Sequence, residues 1–519
     1  MTDTIPTGNF KLAPEVRLID DEEGGVILQL SPLRAMRVNQ TAFEILNRCR
    51  TGYSYEDFKT CGFDNRTKPT LSFLDSMCAA HILQWAPDPA IAPPFVSIIV
   101  PVYNRADEVA QCLESLLRLN YPVSLREIIV VDDASDDSTA DVVRAYGNRI
   151  KFVANRRNLG QSAARNVGVS IAAGEVLAFI DSDCTADVKW LEQLTPYFQD
   201  PRIALVGGYV ASHFRKTWLD RYEDAKSPLS MGKHTIICND SNSDFYVPTC
   251  NMLVRKKAYL EAGGLDESLR VGEDVDLCWK LKKQNHRLIY VPEGRVDHKH
   301  RNRFPSAFKR RFDYGTSEPV LYAGHREVSK RFPSHPAALL FCLSCCLGLI
   351  TRPFLFSFFS CLIVIGWAFE NRAAIRKKTN VSLAFGDVVR ATFKNCYAMA
   401  YHLSLHFVRY YFLLVLPLML IFPPACRLLV AVVLFPLTVE FFSTRPRLPF
   451  PVFMFFFLME QSFYQAGVFS GCLKVRSFRC YHLRFGARRT KKERVSTLGA
   501  QSSILRHFSS VFSVWRQHP

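Results

Sequence analysis

Residues 96–139 read VSIIVPVYNRADEVAQCLESLLRLNYPVSLREIIVVDDASDDST. Two short apolar runs, 96–101 and 127–132, flank a segment whose apolar residues recur at helical spacing, and paired carboxylates close the second run. This is the rhythm of strand, helix and parallel strand in an α/β domain. Outward from it the pattern continues: IKFVA (150–154) and VLAFID (176–181) predict two more strands, with helices predicted at 106–118, 136–146, 160–171 and 187–198. Runs this short and apolar suit strands buried on both faces. The polar motifs fall just after strands, where an open α/β sheet places its ligand crevice.

Those motifs are acidic. Asp132 and Asp133 follow one strand, Asp181 and Asp183 follow another, and Glu273 with Asp274 open a helical pattern that continues through Leu277 and Leu281. Carboxylates converging on one crevice repel each other and need a metal ion, a cation or a proton. Asp181-Ser182-Asp183 places two oxygen donors one residue apart at a strand exit, which suits a hard ion such as Mg²⁺ or Mn²⁺ that also grips phosphate. The plain alternatives are turn and cap roles for the aspartates, and a helix N-terminal charge pair for Glu273 and Asp274.

The rest of the chain differs in character. Among its 519 residues and net charge of +17, the first 335 or so mix polar and apolar positions, whereas 336–470 carry long apolar runs at 337–350, 353–369, 403–423, 426–442 and 450–470. The third and fifth reach the ~20 residues that cross a hydrocarbon core comfortably. Four crossings, with one stretch re-entrant or interfacial, is the expected count. Arg372, Arg376, Lys377 and Lys378, then Arg445 and Arg447, and nine Lys or Arg against one acid between Lys474 and Arg494 predict a cytoplasmic side for these segments. An anionic lipid surface explains that basic cluster more simply than nucleic acid does. The 16 cysteines are scattered, several lie in apolar runs, and no secretory leader opens the sequence, so reduced structural thiols are expected.

The blocks PVYNRADEVAQCLESLL, EIIVVDDASDDST, NLGQSAARNVGVSIAAGEVLAFIDSD and GEDVDLCWKLKKQNHRLIYVPEG closely resemble a family 2 glycosyltransferase of the GT-A fold over about residues 96–300. The resemblance implies a mixed sheet with a Rossmann-like first half, a nucleotide-diphospho-sugar donor, a divalent metal and an inverting displacement. On the matching positions it implies that Pro101, Tyr103 and Glu108 line the nucleoside pocket and that Asp133 contacts the base with Asp132 supporting the turn. It sets Arg165 near base or phosphates, Asp181 and Ser182 at the ribose and metal, Asp183 on the metal, and Asp274 beside Glu273 as general base. One histidine of VDHKHRNRF joins the metal shell or orients phosphate, His298 or, as the alternative, His300. Arg301, Arg303, Lys309, Arg310 and Arg311 are candidates for contact with diphosphate or lipid headgroups, and Trp279 is either a sugar platform or core.

LQLSPLRAMRVNQTAFEIL near the N-terminus resembles a small winged-helix, PqqD-type domain. Fused ahead of such a transferase and an apolar tail, it resembles the mycofactocin-system glycosyltransferases, which implies UDP-glucose as donor and a peptide-derived small-molecule acceptor that gains a short β-linked glucan. A biosynthetic partner protein would dock on the N-terminal domain. The expected division is 1–88 (PqqD-like), 89–95 (proline-rich linker), 96–333 (GT-A), 334–472 (membrane helices) and 473–519 (basic tail), at the inner (plasma) membrane. Two rivals stand beside this reading: a membrane glycosyltransferase acting on a lipid or polysaccharide, and a noncatalytic peptide-binding scaffold. The stretch after Asp274 lacks the QxxRW-like motif of processive synthases.

Overall fold

Every residue of Val96–Val102 is buried, because this strand lies inside an eight-stranded mixed sheet in the computed structural model. The model describes residues 8–21, 24–30, 33–58, 67–88, 91–238, 244–333, 335–351, 353–417 and 423–486. Across the sheet the order is Ile236–Cys238, Arg287–Tyr290, Ile203–Gly207, Met252–Arg255, Val176–Phe179, Val96–Val102, Arg126–Asp132 and Lys151–Ala154. The last four run parallel to one another, and Met252–Arg255 is antiparallel to both of its neighbours. The helices expected at 106–118 and 160–171 form as Ala106–Leu117 and Gln161–Ile171. The one expected at 187–198 is shorter, Trp190–Leu194, and tightens into a 3₁₀ turn at Thr195–Gln199, which contains Pro196.

N-terminal to the sheet, Asn9–Leu12 pairs with Tyr53–Ser54 and Leu83–Ala86, while Val16–Asp21, Gly24–Leu30 and Leu33–Val38 form a separate meander. Asn39 caps the helix Gln40–Arg48 by accepting from the Ala42 amide at 2.9 Å. The stretch LSFLDSMCAAHILQW (71–85) reads as one helix by the spacing of its apolar residues, but it is helical only as far as Ala79. His81 adopts a φ of 56°, and Leu83–Ala86 then buries Leu83 and Trp85 in alternation, so the two-residue period prevails there.

These elements do not close as a distinct winged-helix unit. Phe10, Leu46, Leu74 and Trp85 belong to one buried cluster with Val96, Ile128, Trp190 and Leu194 of the sheet domain. Asp75 pairs with Arg202 and, at 2.8 Å, with Arg287. On the other side, Leu28 of the meander packs in a cluster with Ala368, Leu383 and Val388 of the C-terminal helices. Residues 89 and 90 of the proline-rich segment lie outside the described residues, as does the tail from 487 onward.

Among the described residues three helices are long and apolar enough to cross a membrane: Phe354–Thr379, Cys426–Thr444 and Phe450–Val475. The expected span at 403–423 is not one helix. Its first part belongs to Phe385–Tyr410, which carries Asp387, Arg390, Lys394 and Arg409, and the chain breaks at Tyr411 before the short helix Phe412–Val415. Charges N-terminal to the apolar run make the first segment amphipathic, which a window centred on 403–423 passes over. Pro336–Ile350 is apolar but shorter.

Phe450–Val475 runs alongside the helix Phe304–Gly324 in the same direction. Phe304 stacks on Phe455, Phe308 on Phe456, and further along the backbones touch at Gly315, Gly467 and Gly471. A Cβ on Gly467 would lie 2.1 Å from the Phe312 carbonyl oxygen. Gly467→Val should therefore force the helices apart and cost about 1–3 kcal/mol, read as a lower melting temperature of the detergent-solubilised protein; an unchanged melt would mean that the two backbones do not touch.

Candidate functional site

Val96–Val102, Arg126–Asp132 and Val176–Phe179 are parallel neighbours or next neighbours, so the chain leaves all three at one edge of the sheet. Pro101 lies in register with Val131. Tyr103 stands just beyond, 45% exposed, and Glu108 occupies the first turn of Ala106–Leu117. Asp132 is buried and accepts from both the amide and the hydroxyl of Ser135. Asp133 is committed locally: its oxygens accept from the Leu159 amide at 3.0 Å, the Gly160 amide at 2.7 Å and Asn155 Nδ2 at 2.8 Å. It braces the 155–160 loop that leads into Gln161–Ile171.

Arg165, on that helix, is 1% exposed and lies between two carboxylates. One Nη donates to Asp181 Oδ1 and the other pairs with Glu273 Oε1 at 3.3 Å. A buried guanidinium is tolerable only when paired in this way. Gln161 Nε2 also donates to Glu273 Oε1, at 2.8 Å. Burial by itself would raise Asp181, but the Arg165 charge more than reverses this and holds the carboxyl below its usual range. Glu273 is pushed up, chiefly by burial, against the pull of Arg165.

Asp274 follows Glu273 in the first turn of Glu273–Lys283, after Gly272 at φ 87°. Its Oδ1 accepts from the Val275 amide at 2.8 Å. Burial, and then the Glu273 charge, raise it to about 7, a value suited to a general base near neutrality. The base helix is braced from behind: Asp276 pairs with Lys280 and, at 2.7 Å, with His325 Nε2. Trp279 is core, 3% exposed and edge-on to Tyr322 and His325, and offers no face to a sugar.

The second aspartate of the Asp-Ser-Asp motif has different company from the first. Asp183 Oδ1 lies 3.7 Å from His298 Nε2, and its Oδ2 pairs with Arg105 at 2.9 Å. Cys184–Ala186 and Val296–His298 are paired antiparallel strands with Cys184 opposite His298, which is why the two sites meet. Among the described residues, the group able to hold a metal ion is Asp183, Cys184 and His298. Burial pushes the Cys184 thiol well above its usual range, so it is a poor donor for a hard ion, and a carboxylate with an imidazole is the fitting part of the set. Asp181, expected at the ribose and metal, accepts from Arg165 through Oδ1; Ser182 between the two aspartates is buried.

Of the two histidines, His300 is occupied elsewhere. Its Nδ1 lies 2.7 Å from Ser212 Oγ and its Nε2 3.1 Å from Asp220 Oδ1. Arg311, grouped by sequence with the anion-binding cations, pairs with Glu223 at 2.8 Å and with Glu460. Two residues absent from the sequence reading enter the site, Arg105 and Gln161. Arg105 follows one strand and Asp183 another; only the adjacency of Val96–Val102 and Val176–Phe179 brings them together, and sequence does not display that order.

Residues 97–262 match the family model described as Glycosyl transferase family 2. Pre-mycofactocin glycosyltransferase of Mycobacterium tuberculosis (strain ATCC 25618 / H37Rv) is 34% identical over 233 residues, covering 44% of this chain and 48% of the relative. Glycosyltransferase AglE of Haloferax volcanii is 30% identical over 207 residues, 38% of this chain and 64% of the relative. The chain spans about half the length of the first of these relatives. Among solved structures, the mannosyltransferase PcManGT from Pyrobaculum calidifontis, in complex with GDP-Man and Mn²⁺, aligns with a TM-score of 0.45 at 17% identity over 78% of this chain and 95% of that one.

Proposed function

We propose, on the premise that residues 97–262 form a family 2 glycosyltransferase domain, that the whole chain is a membrane-anchored glycosyltransferase moving a sugar from a nucleotide-diphosphate donor to a lipid or polysaccharide acceptor. The observation that carries this reading is the Arg165 bridge, which ties Asp181 at the strand edge to Glu273 beside Asp274. It keeps a donor-side carboxylate and a base-side carboxylate at fixed separation in one crevice. The three long apolar helices support anchoring.

In this mechanism Asp274 takes the proton of the acceptor hydroxyl as that oxygen attacks the anomeric carbon, and inversion follows from the single displacement. Glu273, held by Gln161 and Arg165, keeps Asp274 basic through its charge. Asp183 and His298 would hold Mg²⁺ or Mn²⁺, which when bound neutralises the departing diphosphate. Arg105 holds Asp183 in place. UDP-glucose is the donor in the finer form of the proposal. The basic segments beside the apolar helices favour the inner membrane with the catalytic domain on the cytoplasmic side.

A second reading has one observation in its favour, the 34% identity to Pre-mycofactocin glycosyltransferase. In it the acceptor is a peptide-derived redox cofactor precursor, and the N-terminal segment, PqqD-like in the stretch LQLSPLRAMRVNQTAFEIL, receives a biosynthetic partner. Purified protein incubated with nucleotide sugars, Mn²⁺ and both acceptor types, read by product mass, separates the two. No release of nucleoside diphosphate from any donor would overturn both. His298→Ala should raise the Mn²⁺ concentration needed for half-maximal turnover by about 10–100-fold, the range seen when a metal site loses support, as measured by metal titration; an unchanged requirement would remove His298 from the metal site.

A further inference from the structure

The apolar helices of the C-terminal half differ in what covers them. Phe450–Val475 rests on the sheet domain at both ends. Phe453 and Phe456 pack on the Tyr222 ring at 5.5 and 5.4 Å, while Val468 and Cys472 share a buried cluster with Leu277 and Trp279 of Glu273–Lys283. Between these contacts Glu460 accepts from the Tyr222 hydroxyl and pairs with Arg311. Phe453 and Cys472 stand about 28 Å apart along the helix axis. A helix that lies along one water-facing domain over that length cannot also cross a hydrocarbon core of about 30 Å.

The other apolar helices meet the rest of the protein at one end. Pro336–Ile350 and Pro353–Thr379 form an antiparallel hairpin, in which Ser344 Oγ donates to the Phe356 carbonyl at 2.9 Å and His335 stacks on Trp367 at 4.3 Å. The His335–Trp367 end is the root. There Ala338, Val364 and Trp367 share a buried cluster with Cys396 and Met399 of Phe385–Tyr410, and Ala368 packs in a cluster with Leu28 and Val388. Phe385–Tyr410 is itself tied to Phe304–Gly324 by the Tyr410 hydroxyl, which donates to Glu318 at 2.9 Å. Toward the tip, Leu343, Leu347, Phe354, Phe358 and Leu362 are exposed. Pro423–Thr444 has the same polarity: Arg427 donates to the Ile350 carbonyl at the tip at 3.4 Å, and Glu440 pairs with Lys226 of the sheet domain at 2.8 Å.

From root to tip the three helices measure alike. Pro336–Ile350 has 15 residues, and the intervals 353–367 and 427–440 are of similar length, so each reaches about 20 Å. The uncharged stretch between Arg427 and Glu440, residues 428–439, is 12 residues long. Stretches of about 10–14 suit a re-entrant segment better than a span, and a crossing would require the bilayer core to thin by about 10 Å.

We propose that these three helices enter a phospholipid bilayer from the catalytic side and turn back inside it, so that none of the described residues emerges on the far side. The inference rests on the membrane-anchored part of the proposed function and fixes its topology. Arg445 and Arg447 at the root, and Arg376, Lys377 and Lys378 beyond it, are exposed and match anionic headgroups on the side of entry. Arg427 at the tip has a partner within the protein, at the carbonyl end of Pro336–Ile350, where a helix favours a cation.

The test uses the full chain reconstituted into sealed vesicles of phosphatidylcholine and phosphatidylglycerol. Thr351→Cys marks the tip and Lys377→Cys the entry side, both at exposed positions. A membrane-impermeant maleimide is supplied on both faces of the bilayer, and each site is followed by the mass of its peptide. Lys377→Cys should be labelled, whereas Thr351→Cys should be labelled only after detergent dissolves the bilayer. Leu349→Cys, exposed on the last turn of Pro336–Ile350, gives an independent reading of the tip should Thr351→Cys fail to fold. Labelling of either tip position in the intact bilayer would overturn the proposal: in favour of a span if the protein then resists alkaline extraction, and of surface adhesion if it is released. Sugar transfer is measured on the same vesicles. A labelled tip with transfer retained would sink the topology and leave the transferase reading standing, and a protected tip without transfer would do the reverse.

Discussion

Asp274→Asn should lower sugar transfer by about 10²–10⁴-fold, the usual contribution of a positioned general base, while leaving UDP binding in place. Asparagine keeps the carbonyl-type oxygen that accepts from the Val275 amide, so the helix start survives and only the proton acceptor is lost. The pH profile carries a second part of the prediction. The base works ionised, and its proton is held up to about pH 7 by burial and by Glu273, so the rate should climb as pH rises through that value. Glu273→Gln removes the neighbouring charge and should move the rising limb to lower pH. Substantial transfer by Asp274→Asn, or a profile flat from pH 5 to 8, would remove Asp274 from the base role.

Arg165→Met should be the most damaging substitution for folding. It leaves Asp181 and the buried Glu273 without the cation that bridges them, and breaking a buried ion pair from one side costs about 3–5 kcal/mol. The detergent-solubilised protein should melt far lower, and more so at high pH, where both carboxyls are ionised. Arg165→Lys keeps the charge but can no longer reach both carboxylates with two guanidinium nitrogens, so it should recover part of the stability and little of the turnover. A melting temperature within a few degrees of the parent for Arg165→Met would show that the bridge is not what holds the two halves of the site.

The parallel strands and their order along the chain were legible because a buried strand announces itself as a short apolar run. Asp181, Asp183, Glu273 and Asp274 stood out because carboxylates at strand ends have an electrostatic cost. Division of labour among them was not legible. Asp181 and Asp183 are separated by one residue, and the turn at Ser182–Asp183 sends one to Arg165 and the other to His298, partners that sequence does not name. Likewise His298 ends a strand and His300 lies two residues beyond it, and only the third dimension sends the second to Asp220. The 403–423 run misled because it joins the end of one helix, most of whose charges lie before the window, to a separate short helix beyond the break at Tyr411. Arg311 misled because its neutralising acids, Glu223 and Glu460, are remote in sequence.

The N-terminal 86 residues touch both other parts of the molecule: Trp85 is edge-on to Tyr197 at 5.9 Å, Asp75 anchors Arg202 and Arg287, and Leu28 sits among C-terminal helices. A catalytic unit and a folding unit are thus different stretches of this chain. The first begins near residue 97; the second reaches back to Phe10, which packs with the sheet, and to Leu28, which packs with the C-terminal helices. Excising the transferase at the family boundary would uncover apolar surface on two sides at once, so the N-terminal segment is not a detachable accessory.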